Sequence, residues 1–142
     1  MRIVACTILL FLLPPYTNAQ EKDKWQRAFT FEDSTAYLDV VNVVFGSDFT
    51  GRVRIRFSYS KTQPAPGKKE DKYKSVIETI EFRCPDRLYR IFSVKRFDSK
   101  GNPVNSGEDK PEEVWKEVKD GSVMERLLDA ACKLIEEKRK NP

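Results

Sequence analysis

Residues 52–60 alternate without interruption. Val53, Ile55, Phe57 and Tyr59 occupy one set of positions, and Arg52, Arg54, Arg56, Ser58 and Ser60 the other. Successive side chains of a β-strand point to opposite faces, so this period of two describes a sheet with one face in a core and one in water. The rest of the chain must supply the remaining strands and something apolar to cover the dry face.

The strands are readable on both sides of this segment. Aromatic and β-branched residues over 28–45 predict two strands, Ala28–Glu32 and Ala36–Phe45, with Asp33-Ser34 between them and a turn over Gly46–Gly51. Pro64, Pro66, Gly67 and five Lys against two acids make residues 61–74 an expected mobile loop. Ser75–Cys84 reads as a strand, with Val76, Ile80, Phe82 and Cys84 on one face. Pro85-Asp86 is a turn, Leu88–Phe97 a further strand, and Asp98-Ser99-Lys100-Gly101 a short hairpin loop. A short return over Val104–Lys110 follows, and the segment Glu112–Val118 is weakly strand-like.

The cover for the dry face is a helix. Ser122-Val123-Met124-Glu125 is a capping box. Val123, Leu127, Leu128, Ala131, Leu134 and Ile135 then recur at helical spacing. Lys138, Arg139 and Lys140 suit the negative end of the helix dipole. Strands and helices do not alternate, so a parallel sheet is not expected. The predicted class is α+β: an antiparallel meander of about five or six strands, packed with one C-terminal helix.

The N-terminus constrains where such a domain works. Arg2, the apolar run Ile3–Leu13, the break at Pro14-Pro15 and the small residues of Thr17-Asn18-Ala19 have the order of a cleavable export signal. The run is far shorter than the roughly 20 residues of a membrane span. Cys6 lies at its start rather than its end, so acylation is not expected. The chain thus divides into a signal, 1–19, and a single domain, 20–142, without a transmembrane segment. Its expected location is the periplasm or the cell exterior. Removing Arg2 with the signal leaves 25 basic residues against 22 acidic, a net of +3. That balance is too small for a specific nucleic-acid binder.

Three Cys become two after cleavage, Cys84 and Cys132. An even count in an oxidising compartment favours a disulfide over two buried thiols. Cys132 lies on the edge of the helix stripe, within reach of an inward Cys84 on the sheet.

The chemistry open to the domain is narrow. The chain has no His, which removes the commonest general base and metal ligand. No carboxylate cluster has metal-loop spacing and no Gly-rich phosphate loop is present. Neither enzyme activity nor a metal or cofactor is expected. The feature that invites a functional reading is basic. Arg52, Arg54 and Arg56 stand in a row, with Arg83, Arg87, Arg90, Lys95 and Arg96 on the following hairpin, and the candidate binding residues are Arg52, Arg54, Arg56, Arg87 and Arg90. Such a row can track a polyanion or an acidic protein surface. The competing reading is a solvated face neutralised by cross-strand acids such as Glu78 and Glu81.

Several ordered pieces carry a resemblance. They are Trp25, Tyr37-Leu38-Asp39, Arg83-Cys84-Pro85-Asp86-Arg87-Leu88-Tyr89-Arg90, Arg96-Phe97-Asp98-Ser99-Lys100-Gly101, Trp115, Gly121-Ser122 and Ala131-Cys132. Over residues 25 to 135 the chain resembles the surface-adhesin protein E-like family of exported bacterial proteins. The resemblance implies an antiparallel sheet with a C-terminal helix, a disulfide between Cys84 and Cys132, and binding of host matrix or plasma proteins at the cell surface. Two functions follow as expectations. One is a non-enzymatic binding protein of the envelope, contacting an extracellular or envelope protein or an anionic polymer through its basic face. The other is a periplasmic structural protein without adhesion activity, for which a homodimer is a natural form.

Overall fold

A computed structural model describes residues 24–47, 49–104 and 112–141. The expected signal, 1–19, and most of the expected return over 104–110 lie outside the described residues. The strands are β1 (Trp25–Phe31), β2 (Ser34–Asp39), β3 (Val44–Phe45), β4 (Thr50–Ala65), β5 (Lys68–Arg83), β6 (Leu88–Phe97), β7 (Pro103–Val104) and β8 (Lys116–Glu117). The helix is α1 (Val123–Lys140). All pairings are antiparallel. The path β1-β2-β4-β5-β6-β7 runs across the sheet, with β3 added to β4 and β8 to β6. The expected α+β meander with one C-terminal helix is therefore the fold.

The alternation over 52–60 sorts the two faces as anticipated. Val53, Ile55 and Phe57 are buried on the inner face, with Ala36, Leu38, Val76, Ile80 and Phe82 from the neighbouring strands. The helix lays Leu127, Leu128, Ala131, Leu134 and Ile135 onto them. Gly51 sets how closely it can approach: a Cβ there would lie 2.5 Å from Ile135 Cδ1. The Cys84–Cys132 disulfide ties the end of β5 to the middle of α1, with the two Cα atoms 5.8 Å apart.

The N-cap of α1 is Ser122, whose Oγ accepts the Glu125 amide at 3.2 Å. The Glu125 carboxylate reaches back one residue further than a capping box requires, accepting the Gly121 amide at 2.7 Å. Satisfying these amides is the main requirement at a helix start.

Three segments differ from the sequence reading. Residues 61–74 form no loop. They extend β4 and β5 into a long hairpin arm, with Gln63 opposite Tyr73 and Ala65 opposite Lys68. Cross-strand pairing satisfies the backbone while the Lys side chains stay in water, so polarity alone does not forbid a strand here. Pro66 presets the turn and Gly67, at φ 75°, closes it. A single strand over 36–45 is not formed, because the chain bends at Val40–Val43. Asp39 holds that bend by accepting the amides of Val41 (3.2 Å) and Asn42 (3.3 Å). In the segment 112–118 only Lys116–Glu117 is strand. The rest is a strap along β6, tied by Glu112 N to Ile91 O (2.9 Å), Ile91 N to Glu112 Oε2 (3.1 Å) and Val118 N to Arg87 O (3.0 Å).

Candidate binding face

The outer face of the sheet, opposite α1, is built from the other half of the alternation. Register places Arg52 beside Glu81, Arg54 beside Thr79, and Arg56 between Tyr37 and Ile77. Arg90 joins the same face opposite Glu81, and Trp25 opposite Asp39.

The arginines fall into two electrostatic classes. Glu81, 4% exposed, is held between two guanidiniums: Arg52 Nε donates to Oε1 at 3.2 Å and Arg90 Nε to Oε2 at 2.6 Å. Asp39, fully buried, accepts from Arg54 NH1 at 3.2 Å and from Asn42 Nδ2 at 2.8 Å. Burial pushes the Asp39 acid up, but hydrogen bonds from Asn42, Val41 and the Asn42 amide, together with the Arg54 charge, more than offset it and hold its pKa below the ordinary 3.8. Arg52, Arg54 and Arg90 are thus each ion-paired with a buried acid, Arg52 and Arg90 sharing the single charge of Glu81.

Arg56 belongs to the second class. It makes no ion pair among the described residues. Its guanidinium carbon lies 4.9 Å from the Trp25 ring centre and 4.8 Å from that of Tyr37. Contact with the two rings holds the cation by its attraction to their electron-rich faces, each worth about 0.5–1 kcal/mol at a partly exposed site.

Aromatics interleave with arginine elsewhere on the face. Arg54 stacks on Trp25 (5.4 Å) and Arg52 on Phe92 (3.9 Å). Arg83 and Arg90 flank Trp115, at 4.5 and 4.6 Å, and the strap along β6 puts that indole in place. Arg87 does not join this group. It sits in the β5–β6 turn with φ 53° and pairs with Glu125 (2.7 Å) and Asp120 (3.4 Å), linking the turn to the start of α1.

Of the two acids considered as neutralising partners, Glu81 is on the arginine face. Glu78 pairs with Ile55 and Val94 and so belongs to the opposite face. The sequence alone does not place Trp25, Tyr37, Asp39 and Trp115 on this face. A period-two count along 34–39 would have put Tyr37 and Asp39 together, but only the strand register brings them to the arginines.

Among the described residues no three His, Cys, Asp or Glu side chains gather to hold a metal, and no helix is long and apolar enough to cross a membrane. A groove of about 340 Å³ lies on the other side of the sheet, between β1 and α1, lined by Ala28, Leu38, Val40 and Leu134 among others.

These features define a disulfide-pinned α+β module with a charged, aromatic-laced outer sheet. The chain belongs to the surface-adhesin protein E family, whose model matches residues 25–133. The fold is also that of protein E from non-typeable Haemophilus influenzae, whose crystal structure aligns over 85% of this chain and 82% of that one, with a TM-score of 0.57 and 11% identity. No curated protein matches the chain significantly.

Proposed function

We propose that this is an exported, non-enzymatic binding protein of the bacterial envelope, which engages an extracellular or envelope partner through the outer face of its sheet. The observation that carries this reading is Arg56, a cation held in contact with Trp25 and Tyr37 that makes no ion pair among the described residues. A purely structural face has no need to leave Arg56 without an ion pair while burying Glu81 and Asp39 against the arginines beside it. Membership of a surface-adhesin family supports a binding role and an exported location.

Export is proposed to proceed by cleavage after Ala19, so that the mature N-terminus is Gln20. Mass spectrometry of the exported protein tests this. Capture of partners from host matrix and envelope fractions tests the face. Arg56→Gln combined with Lys95→Gln should lose capture while Arg87→Gln, in the β5–β6 turn, retains it. Equal capture by all three proteins would overturn the assignment of the face.

A further inference from the structure

The outer face is divided by strand register into rows with different chemistry. One row runs Arg27, Tyr37, Arg56, Ile77, Lys95 across five strands. It contains three cations and no acid, and neither Arg27 nor Lys95 forms an ion pair among the described residues. Each cation is two strands from the next, a separation of roughly 10 Å. The two rows on one side hold the buried acids, Asp39 beside Arg54 and then Glu81 between Arg52 and Arg90. The row on the other side is Thr30, Thr35, Ser58, Ser75 and Phe97, four hydroxyls that end on β6 in an aromatic ring. Arg27 NH2 donates to Thr30 Oγ1 at 2.7 Å, and that oxygen lies 3.1 Å from Thr35 Oγ1, so the hydroxyl and cation rows are in direct contact.

We propose that these two rows form a binding track for a linear anionic polysaccharide that carries a charge on every second sugar. This deepens the binding reading above and rests on it. The cation spacing is about that of two linked pyranose rings in an extended chain, and Ser and Thr hydroxyls both donate to and accept from sugar hydroxyls. The guanidinium fork of Arg56 suits an oxyanion bidentately.

Two other classes of partner fit less well. Single-stranded nucleic acid needs open aromatic faces on which bases stack, whereas Trp25 already carries Arg54 and Arg56, and Tyr37 carries Arg56. A protein interface is most apolar at its fully buried core. The exposed large apolar side chains among the described residues are Val44, Phe45, Phe49, Val114 and Val123, and none lies in either row.

The test is binding of the purified protein to immobilised hyaluronan, which carries carboxylates alone, and to chondroitin sulfate, which adds sulfate esters. Neutral dextran, poly-glutamate and oligo-thymidine are run beside them. At least one anionic glycan should bind, and the two together report whether carboxylate suffices. Arg56→Gln should weaken that binding about tenfold, the factor carried by one charge-assisted contact. Lys95→Gln, on an exposed side chain whose loss does not threaten folding, should weaken it as well and lower the salt dependence. Ser58→Ala should weaken it without changing the salt dependence, since it removes a hydroxyl but no charge. Equal binding to poly-glutamate or oligo-thymidine, or glycan binding indifferent to Arg56 and Lys95, would overturn the track. So would capture of a protein partner that Arg56→Gln abolishes in the absence of any glycan binding. That result would leave the wider binding reading standing, whereas indifference of every ligand to Arg56 and Lys95 would remove both.

Discussion

Reduction of the Cys84–Cys132 bridge should destabilise the domain by about 4 kcal/mol. The two residues are 48 apart in sequence. On the chain-entropy account, a cross-link closing a loop of that length removes enough freedom from the unfolded chain to give this figure at 25 °C. A domain of this size has about 5–15 kcal/mol in all, so the bridge is a large share. The melting temperature should fall by about 15 °C or more. The assay is urea unfolding of the mature chain from Gln20, whose two Cys are Cys84 and Cys132, with and without a phosphine reductant, followed by far-ultraviolet circular dichroism. Chemical reduction leaves both sulfur atoms in place and isolates the cross-link, whereas Cys84→Ala/Cys132→Ala also removes half-buried atoms and should cost slightly more. The urea dependence should steepen on reduction, because the unfolded chain then exposes more surface. A reduced protein within about 1 kcal/mol of the oxidised one would refute the reasoning: burial of the five apolar helix residues would by itself be holding α1 to the sheet.

Three further outcomes follow from the packing. Gly51→Ala should destabilise by about 1–3 kcal/mol, because its Cβ meets Ile135 inside a filled core, and Gly51→Ala/Ile135→Val should recover part of that in a denaturation double-mutant cycle. Glu81→Gln should cost about 2 kcal/mol by urea unfolding, a figure discounted because Arg52 and Arg90 remain one-third open to solvent. Asp39 has a folded pKa below its ordinary 3.8, so its contribution is complete above that value and disappears as pH falls through the folded pKa. Stability measured between pH 6 and pH 2 should therefore drop below about pH 4, and Asp39→Asn, less stable at neutral pH, should lose less over that range.

What was legible in the sequence is what local periodicity governs. The alternation of Val53, Ile55 and Phe57 with Arg52, Arg54 and Arg56 fixes which side of β4 is dry without knowledge of any neighbour. The spacing of Leu127, Leu128, Ala131, Leu134 and Ile135 does the same for α1. The arm over 61–74 was not legible, because Lys and Pro are as common in loops as on the wet faces of a hairpin, and only pairing decides between them. The face chemistry was hidden for a related reason. Whether an arginine is neutralised depends on which strand lies beside it and in what register, and Asp39 and Trp25 are 15 and 29 residues from Arg54 by chain. Three arginines that are equivalent in sequence therefore become unequal in the fold. Arg52 and Arg54 stand beside buried acids, while Arg56 stands between a tyrosine and an isoleucine. Replacing all three together would mix the loss of two buried ion pairs with the loss of one available cation. The single change at Arg56 leaves both buried ion pairs in place and removes only the two ring contacts, and only the register reveals it as the one to make.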